Sequence, residues 1–235
     1  MKRGAKIFAK AIAFARYICL YRLESESLMR AKAANSFAAL WRFLQSSCLA
    51  GIAQKAAEFE AFISVVQPIE PRVIVEIGTA QGGTLLFWAW VASKEAHIIT
   101  IDLPGGAFGG GHRRSQDWFF KRFAQGRQRI SFVRGDSHDP QTYALVRSLL
   151  RGRQVDLLFI DGDHSLEGVE RDYCLYSPLV RHGGIVAFHD IVPAPYELVG
   201  GVPSLWTKLK VTGDVHEIVE DWNQAGFGIG WFQRQ

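Results

Sequence analysis

Five short apolar runs, each closed by an acidic residue and a polar or glycine-rich turn, constrain this chain more than any other feature. They are RVIVEIGTAQGG (72–83), HIITIDLP (97–104), RISFVRGDSHD (129–139), VDLLFIDGDH (155–164) and GGIVAFHD (183–190). Their acids, 26, 34, 25 and 29 residues apart, are Glu76, Asp102, Asp136, Asp161 and Asp190. Continuous apolar runs fit strands buried on both faces of a parallel sheet, and a repeat of about 30 residues is typical of βαβ units.

The segments between the runs carry helical periodicity. Two of them end in a glycine, Gly152 and Gly183, as helices often do. After residue 193 come a proline-rich crossover, a predicted helix around 204–209 and two strand-like runs, VHEIVED and GFGIGWFQ, which predict an antiparallel hairpin. We therefore expect an α/β, Rossmann-like, doubly wound fold. Its mostly parallel seven-stranded sheet should carry the antiparallel C-terminal hairpin at one edge, and a helical N-terminal extension should precede it.

The N-terminal part differs in composition from the rest. Residues 1–68 are Ala-rich and helical in pattern, and prolines at 68 and 71 precede the first predicted strand. The pattern predicts a helical extension over 1–68 and a separate domain over 69–235. Because apolar helices need a partner, we expect the extension to cover the acceptor side of the site or to form the contact of a homo-oligomer.

Positive charge is concentrated at the same end. The net charge is +4, and residues 1–22 contain Lys2, Arg3, Lys6, Lys10, Arg16 and Arg22 but no acid. Lys10 and Arg16 interrupt the apolar stretch, which argues against a spanning helix or a signal sequence. A basic amphipathic helix that packs on its own domain or on a second subunit is favoured over peripheral membrane binding. Charge confined to one end does not predict a nucleic-acid partner.

Three cysteines, Cys19, Cys48 and Cys174, have no metal-binding spacing and are odd in number. Such a set predicts reduced thiols in the core of a cytoplasmic protein.

The turn EIGTAQGG (76–83) joins the first predicted strand to the helix that follows. Glycines allow the backbone to approach a ligand closely, and a helix N-terminus offers free N–H groups. The spacing differs from the G-x-G-x-x-G of dinucleotide-binding folds, which disfavours a nicotinamide or flavin site. Asp102 lies 24 residues after Gly78, where a carboxylate can accept hydrogen bonds from ribose hydroxyls.

The ordered motifs resemble those of class I S-adenosylmethionine-dependent methyltransferases. They are the E-x-G-x-x-x-G loop, the second-strand acid Asp102, the GDS of 135–137 and the fourth-strand acid Asp161. The stretch FIDGDHSLEGVERDYCLYSPLVRHGGIVAFHD is similar to a small-molecule O-methyltransferase branch that includes cephalosporin-hydroxylase-like and macrolide-sugar methyltransferases. The resemblance implies that residues 69–235 bind S-adenosylmethionine. The residues it assigns to the cofactor are Glu76, Gly78, Thr79 and Gly82 at the methionine end, Asp102 at the ribose, Asp136 and Ser137 at the adenine, and Asp161.

The resemblance also implies a metal and a base. In metal-using members, the fourth-strand acid and an acidic pair after the fifth strand hold Mg²⁺, and the matching residues here are Asp161, His189 and Asp190. Two carboxylates on adjacent strands can share such a hard cation, which would lower the pKa of an acceptor hydroxyl. His164, three residues after Asp161, is the candidate general base. A helix cap or a core hydrogen bond is the alternative for His164, and an N-cap is the favoured role of Asp163.

A glycine-rich segment follows the second predicted strand, with five glycines in the seven positions 105–111. Such a segment should be mobile, so that Phe108, His112, Arg113 and Arg114 could cover a bound substrate as a lid. A plain flexible loop is the alternative.

The function that these observations favour is transfer of a methyl group from S-adenosylmethionine to a hydroxyl of a small molecule, such as a sugar or a polyketide, with possible help from Mg²⁺. Two other functions stay open. One is a non-catalytic nucleoside-binding scaffold of the same fold, and the other is a nicotinamide-dependent oxidoreductase.

Overall fold

The computed structural model describes residues 2–106 and 110–235. The chain divides into two compact units, Met1–Gly51 and Ile52–Gln235. The first unit is therefore shorter than the extension predicted for residues 1–68. Helix α3 (Ala56–Val66) belongs to the second unit, although the sequence pattern placed it in the extension. Its Phe59 and Phe62 are fully buried, with ring centroids 5.5 and 6.2 Å from that of Trp88, and this aromatic packing makes α3 part of the second unit.

The first unit contains two helices, α1 (Lys2–Ala34) and α2 (Phe37–Ser46), and the helical prediction for this part is confirmed. Ser36 caps α2 by accepting a hydrogen bond from the N–H of Ala39, as N-cap serines commonly do. Glu24 of α1 accepts hydrogen bonds from the Ser47 hydroxyl (2.7 Å) and the Cys48 N–H (2.9 Å). Among the described residues, no helix combines the length and the apolar character needed to cross a membrane.

The cysteines are placed differently from the prediction. All three are free thiols, but Cys19, Cys48 and Cys174 are exposed. The expectation that they pack in the core is therefore wrong, since all three are accessible to solvent.

The second unit alternates strands and helices. In chain order, with α3 first, the elements are β1 (Val73–Ile77), α4 (Gly83–Val91), β2 (His97–Asp102), α5 (Arg114–Phe120), β3 (Arg129–Arg134), α6 (Pro140–Leu150), β4 (Val155–Ile160), α7 (Leu166–Tyr176), β5 (Val180–His189), α8 (Tyr196–Val199), α9 (Val202–Thr212), β6 (His216–Ile218) and β7 (Ile229–Gln233).

Within the described residues, seven strands form one sheet in the order β3-β2-β1-β4-β5-β7-β6. The first five are parallel, while β7 pairs antiparallel with β5 and β6 antiparallel with β7. The predicted fold and C-terminal hairpin are confirmed. Gly183 does not end a helix but lies inside β5, where the register between β4 and β5 shifts. Its φ is 71°, and glycine adopts such a positive φ at a strand irregularity more readily than a residue with a side chain does.

The strand order places a switch point at β1. From β1 the chain moves outward to β2 and β3, and it then returns to place β4 and β5 on the other side. Loops that leave β1 and β4 therefore run in opposite directions, and the crevice between them is where ligands bind in open α/β sheets. All five residues of β1 are buried, so the strand beneath the crevice is held by packing on both faces.

A buried carboxylate lies under this crevice. Glu76 is completely buried in β1. It accepts hydrogen bonds from the Thr84 hydroxyl (2.5 Å), the Trp88 indole (2.7 Å) and the Thr100 hydroxyl (2.8 Å). Burial raises the pKa of Glu76 to about 7, although the hydrogen bonds from Thr84, Thr100 and Trp88 oppose the rise.

The raised pKa predicts a pH-dependent stability. Between pH 4.5 and pH 7 the folded protein keeps a proton on Glu76 that the unfolded chain has lost. The free energy of unfolding should therefore fall as pH rises through this window, by about 3 kcal/mol in total. Glu76→Gln should remove that loss and be at least as stable as the wild type at pH 8 in urea unfolding. The matched control is Glu60→Gln, at an exposed position of α3. If the free energy of unfolding varied with pH in the same way for the wild type and Glu76→Gln, the raised pKa of Glu76 would be contradicted.

Candidate active site

A cavity of about 410 Å³ opens at the carboxyl ends of β1 to β5. Every loop that follows one of these strands contributes to its wall. The lining residues that carry polar side chains are Asp102, Asp136, Ser137, Asp161, Asp163, His164, His189 and Asp190. The structure thus brings together most of the site residues predicted from the sequence.

The loop after β1 supplies the cavity with backbone. Gly78 has a φ of 97°, and a Cβ there would lie 1.8 Å from the carbonyl oxygen of Asp161. Only glycine fits this position. Its N–H donates to the Ile101 carbonyl at 2.8 Å, so the loop is fixed to β2 as well. Gly78 and Ala80 line the cavity and offer main-chain atoms to a ligand.

Three predicted cofactor residues do not reach the cavity wall. Glu76 is buried in its own network, and Thr79, which is 2% exposed, is hydrogen-bonded to the Thr100 hydroxyl. Gly82 caps α4 with a φ of 76°, and a Cβ there would clash with the Phe120 ring at 2.7 Å. The expectation that Glu76 lines the methionine end is therefore wrong in geometry, because the residue lies inside β1 rather than at its end. All three residues shape the loop instead.

The other end of the cavity is lined by the residues assigned to ribose and adenine. Both carboxylate oxygens of Asp102 accept from the Gly111 N–H, at 3.1 and 3.0 Å. Asp136 accepts from the His138 N–H at 2.8 Å, and the Ser137 carbonyl accepts from the Tyr176 hydroxyl at 2.8 Å. The three side chains therefore belong to loops whose backbone is held in place.

The glycine-rich segment is only partly described. Phe108 lies outside the described residues, and Arg113 and Arg114 are exposed. His112 is 5% exposed, so its expected place on a mobile lid is wrong. Its ring lies 4.9 Å from the Phe120 ring and 5.4 Å from the Phe132 ring, centroid to centroid, and this packing removes it from solvent.

Two carboxylates and two histidines meet at the corner where β4 and β5 end. His164 Nε2 lies 3.3 Å and His189 Nδ1 3.2 Å from Asp161 Oδ1. The second carboxylate, Asp190 Oδ2, lies 3.6 Å from His164 Nδ1 and 3.5 Å from His189 Nδ1. We call these four residues the acidic corner.

The charges of the acidic corner shift one another's protonation. Burial alone would raise the pKa of Asp161, but the charge of His189 and the hydrogen bonds from both histidines hold it below its ordinary value. Burial works against protonation of His189, yet Asp161 and Asp190 raise its pKa to about 10. The pKa of His164 is also raised, since the two carboxylates outweigh its burial. The net charge of the acidic corner is therefore zero when both carboxylates are ionised and both imidazoles are protonated.

The donor set of the corner fits a divalent cation. Asp161, His164 and Asp190 can each offer one ligand atom, and these three atoms lie within 4.8 Å of one another. The sequence predicted His189 in this set and His164 as the base, whereas the geometry groups His164 with the carboxylates. His189 is 4% exposed, and its Nε2 has no hydrogen-bond partner among the described residues. The carboxylate oxygens suit Mg²⁺ or Mn²⁺, whereas the imidazole nitrogen favours Mn²⁺ or a softer metal.

Asp190 has an unusual backbone that the C-terminal hairpin supports. Its φ is 62°, a left-handed conformation that costs energy in a non-glycine residue. The Phe227 N–H donates to Asp190 Oδ1 at 2.8 Å. In turn, the buried Glu58 accepts from the N–H groups of Glu220 and Gly228, both at 2.9 Å, so α3 anchors the loop that holds Asp190.

Sequence reasoning missed residues from the segment before α3. Gln54 Nε2 donates to Asp161 Oδ2 at 3.1 Å, and Ala53 lines the cavity. No motif marks these positions, and Gln54 is 107 residues from its partner. Asp163 accepts from the Ser165 N–H, but Ser165 itself caps α7, so the N-cap prediction for Asp163 is wrong by two positions.

Comparison with known proteins relates this geometry to a family. Residues 75–191 match the family model described as "Methyltransferase domain". An uncharacterized protein, R132, of Acanthamoeba polyphaga mimivirus is 31% identical over 116 residues, which are 49% of this chain and 50% of the relative. The match to this curated relative thus spans about half of its length.

Solved structures share the fold at low identity. An O-methyltransferase from Bacillus cereus in complex with SAH has a TM-score of 0.56 at 15% identity, over 89% of this chain and 91% of that one. The O-methyltransferase TomG from Streptomyces achromogenes, in complex with SAM, has a TM-score of 0.52 at 18% identity, over 88% of each chain. The matched residues include the strand ends and the loops that build most of the cavity, and by this match residues 75–191 are a methyltransferase domain.

Proposed function

We propose that the protein transfers a methyl group from S-adenosylmethionine to a hydroxyl group of a small molecule. The observation that carries the proposal is one cavity with Asp102, Asp136 and Ser137 on one wall and the acidic corner on another. The first set suits an adenosyl ligand, and the second suits an acceptor oxygen and its proton. O-methyltransferases with SAM or SAH bound share this fold, which supports the same chemistry here.

The cofactor's place follows from the chemistry of the walls. Asp102 has carboxylate lone pairs that can accept ribose hydroxyls in addition to the Gly111 N–H. Asp136 and Ser137 lie next along the sheet, where the adenine would follow the ribose. Gly78 lets the methionine part approach the backbone without a side chain in the way. The methyl group would then lie toward Asp161, where the two walls meet.

Transfer itself needs alignment and proton removal, because the sulfonium already activates the methyl group. His164 is arranged to receive the proton. Its Nδ1 lies 3.1 Å from the Leu198 carbonyl oxygen, an atom that can only accept, so Nδ1 carries a hydrogen. Nε2 faces Asp161 Oδ1 at 3.3 Å, so it takes up the proton of the acceptor only from the neutral form of the ring, and Asp161 then stabilises the imidazolium that forms.

A divalent cation is a second element of the proposal. If bound, Mg²⁺ or Mn²⁺ would lower the pKa of the acceptor hydroxyl and orient it, and Asp161, His164 and Asp190 are the residues that would hold it. His164 Nε2 cannot hold a metal and take a proton at once. The two roles therefore predict different results for metal removal.

The ribose assignment gives a direct prediction. Asp102→Asn should weaken binding of S-adenosylhomocysteine by about 1.5 to 3 kcal/mol, the range for a hydrogen bond to a charged group, as measured by calorimetry. Asp214→Asn, an exposed carboxylate far along the chain, is the control and should bind as the wild type does. Equal affinities for Asp102→Asn and the wild type would remove Asp102 from the site, and tighter binding of NADH than of the adenosyl ligand would favour an oxidoreductase.

The metal assignment predicts selective loss of cation binding. Mn²⁺ should bind the wild type in electron paramagnetic resonance titrations, and Asp161→Asn and Asp190→Asn should lose it while their affinity for S-adenosylhomocysteine changes little. Asp163→Asn is the matched control, since Asp163 lines the same cavity but is not in the ligand set.

With any acceptor that the wild type methylates, His164→Ala should be slower by roughly 10² to 10⁴. A wild type that binds no Mn²⁺ and keeps full activity in chelator would leave His164 as base without a metal.

The expected homo-oligomer, the cytoplasmic location and the role of the N-terminal residues remain predictions. On α1, Leu23 and Met29 are 58% and 55% exposed, which is compatible with a subunit contact. Removing residues 1–51 should then lower the number of subunits measured by light scattering and leave affinity for S-adenosylhomocysteine unchanged. An unchanged number of subunits would argue against a subunit contact, and flotation of the full chain with liposomes would favour membrane binding.

A further inference from the structure

A histidine lies behind the carboxylate assigned to the ribose. His112 Nδ1 is 3.6 Å from Asp102 Oδ2. This nitrogen is buried and has no hydrogen-bond partner among the described residues. Unpaired buried polar atoms are uncommon, and each asks for an explanation. Because His112 does not line the cavity, any effect on a ligand must pass through Asp102.

The far side of the His112 ring is fixed. Its Nε2 lies 2.6 Å from Asp117 Oδ1. Arg134 donates to the same carboxylate and, at 2.8 Å, to the His112 carbonyl oxygen. Phe120 and Phe132 pack around the ring. Asp117 and Arg134 therefore hold the ring so that Nδ1 faces Asp102.

These contacts form a row of alternating charge across three elements. Asp102 ends β2, Asp117 is in α5, and Arg134 ends β3 opposite Asp102 in the parallel register. Nε2 faces only a carboxylate, so it carries a hydrogen. A hydrogen on Nδ1 as well lets the ring attract both carboxylates, whereas without it a nitrogen lone pair would face the Asp102 oxygens.

We propose that His112, held by Asp117, is a positioning residue that orients the Asp102 carboxylate to accept the ribose hydroxyls of the cofactor. This inference rests on the proposed function. It assigns His112 a role in cofactor affinity instead of substrate cover. Gly111 makes the arrangement possible, since its φ is 83° and a Cβ there would lie 2.5 Å from Pro104 Cα.

The test uses His112→Phe in the full chain, because a phenyl ring keeps the packing and removes both nitrogens. Calorimetry should show S-adenosylhomocysteine binding weakened about tenfold to a hundredfold, as expected for losing a charged hydrogen-bond partner. In the Asp102→Asn background the same substitution should add little, since the ring acts through that carboxylate. His182→Phe, at an exposed position of β5, is the control.

Two further measurements separate positioning from a structural role. His112→Asn, whose side-chain amide keeps a hydrogen-bond donor close to the Nδ1 position, should bind S-adenosylhomocysteine more tightly than His112→Phe does. The groups that face the ring are Asp102, Asp117 and Arg134. Asp117→Asn should weaken binding in the same direction and serves if His112→Phe does not fold.

The outcomes are distinguishable. A wild type that binds no S-adenosylhomocysteine contradicts the proposed function itself. A wild type that binds it with the same affinity as both variants contradicts the role of His112 alone. Additive losses in the double variant, or equal affinities of His112→Asn and His112→Phe, would likewise overturn the positioning role.

Discussion

The close approach of the β1 and β4 loops is the constraint on which the site depends. The Asp161 N–H donates to the Ile77 carbonyl at 2.8 Å, and Gly78 follows with no room for a side chain against the Asp161 backbone. This contact sets the separation between the loop after β1 and the acidic corner. Glu76 fixes β1 beneath this contact, because its hydrogen bonds join β1 to α4 and β2. An error of position here would misalign a methyl donor and an acceptor together.

The acidic corner depends in turn on parts of the chain that lie outside the matched domain. The Asp190 carboxylate is held by the Phe227 N–H from the C-terminal hairpin, and Glu58 of α3 fixes that loop. Gln54 reaches Asp161 from the segment before α3. The repeated βα units therefore supply the wall of the cavity that contains Asp102, Asp136 and Ser137, whereas the segments before β1 and after β5 complete the acidic corner. On the proposed function, differences in these segments would change the acceptor without changing the methyl donor.

The sequence predicts those features of the fold and the site that depend on local residue patterns. The five parallel strands and the hairpin follow from apolar periodicity, and strand-end acids such as Asp102 and Asp161 reach the cavity because parallel strands end at one edge. Glu76 was misplaced because its run continues to Ile77, which leaves the carboxylate one residue inside the strand. His112 was misplaced because a glycine-rich run suggests mobility, while Phe120 and Phe132 bury the ring. Contacts such as Gln54 with Asp161, which span 107 residues, leave no local signal.

On the proposed function, one cavity holds an adenosyl ligand in a single orientation, with its sulfur toward the acidic corner. A crystal structure of the complex with S-adenosylhomocysteine tests this orientation most directly. Both ribose hydroxyls should lie within hydrogen-bond distance of Asp102, the adenine should lie beside Asp136 and Ser137, and the sulfur should face Asp161 and His164. A ligand bound with its ribose away from Asp102, or with its sulfur pointing away from Asp161, would contradict it.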